Sequence, residues 1–227
     1  RGSTLGKFTG LSGVAVSSSN EIFLVDCNND RVQVFNMNGK DGGKRHIITF
    51  GGRGSTLGKF AGLSGVAVSS RNEIFVVDYN NDRVQVFNMN GVYIRHFLTT
   101  VPGKPGRNMV PEDISIDGND NLWVVGKLVF VGSYAVQYNR NGRALAKFGV
   151  PNNSRSRAIT ISCLPSIAVN WDGNILTIEN SIVHVFNQTG QLLFKFGGEG
   201  KDNGGLTYPR DVCTDISGHI LVSDQGN

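Results

Sequence analysis

Residues 1–39 return almost unchanged as residues 53–91, and that duplication confines the chain to repeat architectures. Arg1-Gly-Ser-Thr-Leu-Gly-Lys-Phe8 reappears as Arg53 to Phe60, and Gly13-Val-Ala-Val16 as Gly65 to Val68. Asn28-Asn-Asp-Arg-Val-Gln-Val-Phe-Asn-Met-Asn-Gly39 reappears as Asn80 to Gly91. Three fainter copies follow. Ile114-Ser-Ile116, Ile167-Ala-Val169 and Val212-Cys-Thr214 fill the Val-Ala-Val slot, and Leu122 to Val125, Ile175 to Ile178 and Ile220 to Ser223 fill the next.

Each repeat reads as four short β-branched and aromatic segments, with no sustained helical period. The third and fourth segments are joined at Asn38-Gly39, Asn90-Gly91, Asn141-Gly142 or Thr189-Gly190. Such pairs predict tight type I′ hairpins. A four-stranded antiparallel unit recurring roughly every 40–50 residues is the pattern of a β-propeller blade, so the fold class is all-β. Ala15, Ala67, Ser115, Ala168 and Cys213 stand mid-way along each first strand. Small residues belong there if first strands crowd together at the innermost position.

Gly-Val-Ala-Val, Ile-Phe-Val-Val-Asp, Asn-Asp-Arg-Val-Gln-Val-Phe and Phe-Gly-Gly together resemble NHL repeats. Trp-Asp and Gly-His pairs are missing where WD40 blades carry them. This style of repeat is similar to the C-terminal propellers of tripartite-motif (TRIM-NHL) proteins, which implies a six-blade ring. It also implies a RING, B-box and coiled coil upstream, none of which is in this sequence.

The expected blades run over approximately 9–50, 61–97, 112–148 and 165–196, with an incomplete one at 210–227. That is about four and a half blades. The sequence therefore reads as a single partial NHL-repeat propeller over 1–227, lacking about one and a half blades of the implied ring. Such a piece alone should expose strand edges and apolar blade faces, and should aggregate or melt early.

Charge and cysteine usage add little. The net charge of +4 tolerates nucleic acid without demanding it. Cys27, Cys163 and Cys213 show no Cys-x-x-Cys spacing, which argues against a disulfide framework or structural zinc and fits a reducing, cytoplasmic location. No apolar run is long enough to cross a bilayer as a helix.

Chemistry is sparse. His46 and His96 occupy equivalent outer-strand positions, His184 takes the slot of Gln33 and Gln85, and His219 falls in a turn. They do not converge as metal ligands must, so the metal-dependent lyase activity of some NHL-like propellers is the least favoured reading. No nucleophilic triad or phosphate-binding loop is apparent. No catalytic residue, metal or cofactor is therefore assigned. Asp26, Asp78, Glu179 and Asp224 end second strands, and Arg31 and Arg83 open third strands. Their recurrence predicts an Asp–Arg or Asp–backbone bracket across the turn.

The inter-blade connectors should share a face with the turns between second and third strands. They gather Arg1, Lys7, Arg53, Lys59, Lys104, Arg107, Arg155, Arg157, Lys201 and Arg210 against fewer carboxylates, namely Glu112, Asp113, Glu199, Asp202 and Asp211. Tyr79, Phe130 and Tyr208 supply rings beside them. In the third repeat, Gly126-Lys-Leu-Val-Phe-Val-Gly-Ser133 replaces the polar turn, either as a partner contact or as buried strand extension.

Two functions fit this face. The first is a non-catalytic platform that recruits a protein, such as a ubiquitination substrate, for a TRIM-like RING ligase whose catalytic module lies elsewhere. That role rests on the resemblance. The second is single-stranded or stem-loop RNA binding through cations and stacked rings, in post-transcriptional regulation. The candidate residues are Arg53, Lys59, Tyr79, Lys104, Arg107, Phe130, Arg155, Arg157 and Arg210 for either partner. Neither a membrane nor a small-molecule substrate is implied.

Overall fold

The computed structural model describes residues 5–36, 45–151 and 166–226. The chain forms two compact units, Arg1–Thr99 and Thr100–Asn227. The first unit holds β1 (Leu11–Val16), β2 (Glu21–Asp26), β3 (Arg31–Asn36) and β4 (Arg45–Gly51), then β5 (Leu63–Val68), β6 (Glu73–Asp78), β7 (Arg83–Asn88) and β8 (Tyr93–Leu98). The second holds β9 (Val110–Ile116), β10 (Leu122–Leu128), β11 (Gly132–Tyr138) and β12 (Ala144–Val150). It continues with β13 (Ile167–Val169), β14 (Ile175–Glu179), β15 (Ile182–Phe186) and β16 (Leu192–Gly197), and ends with β17 (Pro209–Thr214) and β18 (Ile220–Asp224).

These strands make four four-stranded antiparallel meanders, with β17–β18 as a two-stranded sheet. The protein is thus all-β, built of propeller-type blades. Inside each unit, neighbouring blades stack face to face. Phe23, Val25, Val32 and Val34 of the first blade pack on Phe60, Val66, Ile74, Val76 and Phe87 of the second. Trp123, Val125 and Ala135 pack on Ile167 and Ile175, and Leu176, Ile178, Val183 and Val185 pack on Val212. Each such buried Val, Leu, Ile or Phe side chain contributes about 1.5–3 kcal/mol through loss of apolar hydration, which makes these layers the main stabilising term.

First strands lie beside one another, as their small residues require. A Cβ on Gly13 of β1 would stand 2.8 Å from the Ser64 carbonyl of β5. In the second unit, the Val169 N–H donates to Ser115 Oγ at 3.2 Å, joining β13 to β9.

The hairpins between third and fourth strands differ from the expected type I′ turns. Gly91 N–H donates to the Asn88 carbonyl at 2.9 Å and Asn88 N–H to the Val92 carbonyl at 3.0 Å. Gly91 is left-handed (φ 72°), while Asn90 is not among the positive-φ residues. This is a type I turn followed by a glycine bulge, which needs positive φ at the glycine only. Asn88 Oδ1 secures it by accepting the N–H groups of Asn90 and Val92, both at 3.0 Å. The same loop recurs at Asn139–Arg143 and Asn187–Gln191. Asn38-Gly39 lies outside the described residues.

Among the described residues, no helix is long and apolar enough to cross a membrane.

Candidate functional site: connectors and the third-blade turn

The sequence-predicted bracket exists in both duplicate blades. Arg83 Nε donates to Asp78 Oδ2 at 2.7 Å, with Asp78 fully buried. Gln85 and Asn81 donate to the same carboxylate, and the Ala61 N–H donates to Asp78 Oδ1 at 2.8 Å. Arg83 Nη2 also reaches the Lys59 carbonyl at 3.0 Å, and Gln85 Oε1 accepts the Gly58 N–H at 2.9 Å. One acidic side chain therefore ties the β6–β7 turn to the connector before β5. This places connectors and turns on one edge of the blade.

The first blade repeats the arrangement, with Arg31 Nε 2.9 Å from Asp26 Oδ2 and the Thr9 N–H 3.0 Å from Asp26 Oδ1. Burial would raise the Asp26 carboxyl, but hydrogen bonds from Asn29, Thr9 N–H, Arg31 and Gly10 N–H hold it below its ordinary value. In β18, Asp224 accepts the N–H groups of Thr207 and Tyr208 at 2.9 and 2.7 Å.

On this edge of the first unit, Arg53 and Lys59 are exposed and Tyr79 is half-buried. Lys59 folds back over its own connector, Nζ donating to the Gly51 carbonyl at 2.7 Å. Tyr79 N–H donates to the Gly62 carbonyl at 2.8 Å, so all three candidates sit along one loop cluster.

In the second unit, Lys104 is half-buried and Arg107 exposed on the connector before β9. Arg210 is exposed but lies within β17, its Nε held by Gln225 Oε1 at 2.8 Å. Arg155 and Arg157 fall outside the described residues.

The third-blade turn is where this edge departs most from its copies. β10 runs on through Lys127 and Leu128, pairing Lys127 with Val110 and with Ser133. Extension buries Leu128, at 3% exposure, but leaves Val129 at 52%, Val131 at 43% and Phe130 wholly in solvent. Phe130 is also left-handed, at φ 63°. The corresponding left-handed positions are Asp30, Asp82 and Asn180, residue types that tolerate this conformation far better than a phenylalanine. An exposed, backbone-strained aromatic is held against both hydration and sterics, which marks it as a functional candidate.

The connector charges need one correction. Glu112 and Asp113 are not connector residues; they lie inside β9, and Glu112 is 2% exposed. Burial pushes the Glu112 carboxyl up to about 7 despite Lys127, whose Nζ is 3.3 Å from Glu112 Oε1. Glu179 is pushed up to about 8 by burial, against the pull of Lys127 and with the repulsion of Glu112. Asp113 and Asp211 meet at Ser166, a cluster that sequence reasoning counted as loop charge.

His46 and His96 bond to Thr49 and Tyr93 on their own outer strands, His184 is buried, and His219 pairs with Asp215 at 2.7 Å. Among the described residues, no group of three or more His, Cys, Asp or Glu side chains could hold a metal ion.

Comparison with known proteins agrees with this architecture. The family model for the NHL repeat matches residues 8–35 and 60–87, the two duplicate blades. Those two blades thus match the NHL repeat. The chain is 30% identical over 154 residues to the protein brain tumor of Drosophila melanogaster, covering 65% of this chain and 14% of that protein's length. Among solved structures, it is similar to a gluconolactonase from Xanthomonas campestris (TM-score 0.67, 14% identity, 97% of this chain and 71% of that one). It is also similar to virginiamycin B lyase from Staphylococcus aureus (TM-score 0.62, 14% identity, 95% and 64%). At such identity these likenesses carry the fold alone.

Proposed function

We propose that this NHL-repeat segment is a non-catalytic platform that recruits a protein partner through the β10–β11 turn. The observation that carries this reading is Phe130, fully exposed and left-handed between two half-exposed valines. Burying such a ring in a partner pocket gives the apolar gain of an interface anchor. The likeness to the protein brain tumor supports a binding role. The TRIM-like ligase setting and the cytoplasmic location come from the sequence resemblance and the cysteine usage.

Replacing Phe130 with Asp should weaken partner binding about thirtyfold or more, the scale of an interface hot spot. Arg53→Glu and Arg107→Glu should leave it nearly unchanged. Equal sensitivity to all three would contradict an apolar anchor.

The exposed cations Arg53, Lys59, Arg107 and Arg210 favour RNA as a second reading. RNA binding would fall steeply with salt and with the two charge reversals, and would respond less to Phe130.

A further inference from the structure

In the first unit, Gly13 and Gly65 stand two residues before the small residue of their first strands, where β1 and β5 approach closely. The same position in the second unit holds Asp113, Ser166 and Asp211, on or next to β9, β13 and β17. Ser166 is 3% exposed. Its Oγ lies 2.9 Å from Asp113 Oδ2 and 2.6 Å from Asp211 Oδ1.

A serine hydroxyl has one proton to donate. Were both carboxyl groups ionised, one of these two contacts would set lone pair against lone pair inside hydrogen-bonding distance. The conflict disappears if one carboxyl group keeps its proton and donates it to Oγ, while Oγ–H donates to the other. The backbone fits this arrangement. Ile167 N–H donates to Asp113 Oδ2 at 2.9 Å and Val212 N–H to Asp211 Oδ1 at 2.9 Å, so each carboxyl group is held in place.

We infer that Asp113, Ser166 and Asp211 form a proton-binding site that latches the first strands of three successive blades through a relay from Asp113 O–H to Ser166 Oγ–H to the Asp211 carboxylate. Asp113 is the holder of the proton, since burial foremost, and then the charge of Asp211, pushes its carboxyl up to about 7. The charged or titratable groups on neighbouring elements are Glu112 on β9, Lys127 on β10, Glu179 on β14, Arg210, Cys213 and Asp215 on or just beyond β17, and Asp224 on β18. Lys127 is engaged by Glu112. Among the described residues, no lysine or arginine pairs with Asp113 or Asp211.

The test is the proton count on unfolding of the full chain, from calorimetry in buffers of different ionisation heat near pH 5.5, with Asp113→Asn and Asp211→Asn beside the parent. Unfolding should release nearly one proton fewer from Asp113→Asn, whose amide N–H replaces the O–H donor without titrating. In Asp211→Asn, Ser166 is free to donate to Asp113, so the Asp113 carboxyl resonance should titrate at least one pH unit lower than in the parent. Should Asp113→Asn fail to fold, the parent and Asp211→Asn titrations decide the matter alone. An Asp113 resonance already ionised at pH 5.5 in the parent, or equal proton release from parent and Asp113→Asn, would overturn the site.

Discussion

Asp78 and Arg83 stand 2.7 Å apart at the two ends of one turn, the carboxylate fully buried and the guanidinium nearly so. Their ion pair is also the bolt that holds the preceding connector, because Arg83 continues to the Lys59 carbonyl. Removing the arginine leaves a buried carboxylate short of its charge partner. Arg83→Ala should therefore lower unfolding free energy by about 3 kcal/mol in denaturant titration.

The equivalent Asp26 carboxyl is held below its ordinary value, so unfolding takes up a proton in acid. Its contribution to stability is present above about pH 4 and is lost as pH falls through the lower folded value. Acid titration of Asp26→Asn should lack that loss.

Glu112 and Glu179 act in the opposite direction. Their folded values of about 7 and about 8 lie above the ordinary glutamate value, so folding favours the protonated forms. Their contribution is full below about pH 4.5 and declines as pH rises through 7 to 8. Glu112→Gln should flatten this decline of the second unit, as read from unfolding midpoints across that range.

Duplicate positions offer an internal control on packing. Val14 is 54% exposed on the open face of the first blade, whereas Val66, its copy, is 5% exposed against the neighbouring blade. Around Val14, the side chains of Phe8, Ile22, Leu24 and Phe35 line a concavity of about 680 Å³. Val14→Lys should be tolerated and should reduce self-association in sedimentation, while Val66→Lys should cost about 3 kcal/mol or more by burying an unpaired charge.

Much of this was legible in the repeats. Duplication and alternation defined the blades, and the recurrence of Asp26 and Asp78 with Arg31 and Arg83 anticipated the brackets. What the sequence concealed follows from register. Asn90-Gly91 reads as a type I′ pair, yet Asn88 two residues earlier captures both turn N–H groups and stabilises a longer loop. Glu112 and Asp113 follow Pro111 and read as loop charge, but Pro111 pairs with Gly126 and Asp113 with Val125, which carries both into the sheet with Glu112 at the register shift. Aligning Gly13, Gly65, Asp113, Ser166 and Asp211 in one column was the available signal for their convergence. The strain at Phe130 left no mark in composition, because a left-handed φ is a property of the turn.

That strain separates binding from stability. Phe130→Gly removes the penalty of about 1 kcal/mol for a left-handed aromatic and should raise the melting temperature. The same change deletes the proposed anchor, so a more stable protein should bind its partner less well.

The most direct measurement places a photo-crosslinking side chain at position 130, and another at position 53 as control, and identifies what each captures in cells. Recruitment through this turn should give a discrete protein adduct from position 130, unaffected by ribonuclease and absent from position 53. Adducts to RNA from both positions, or none from position 130, would contradict recruitment through the third-blade turn.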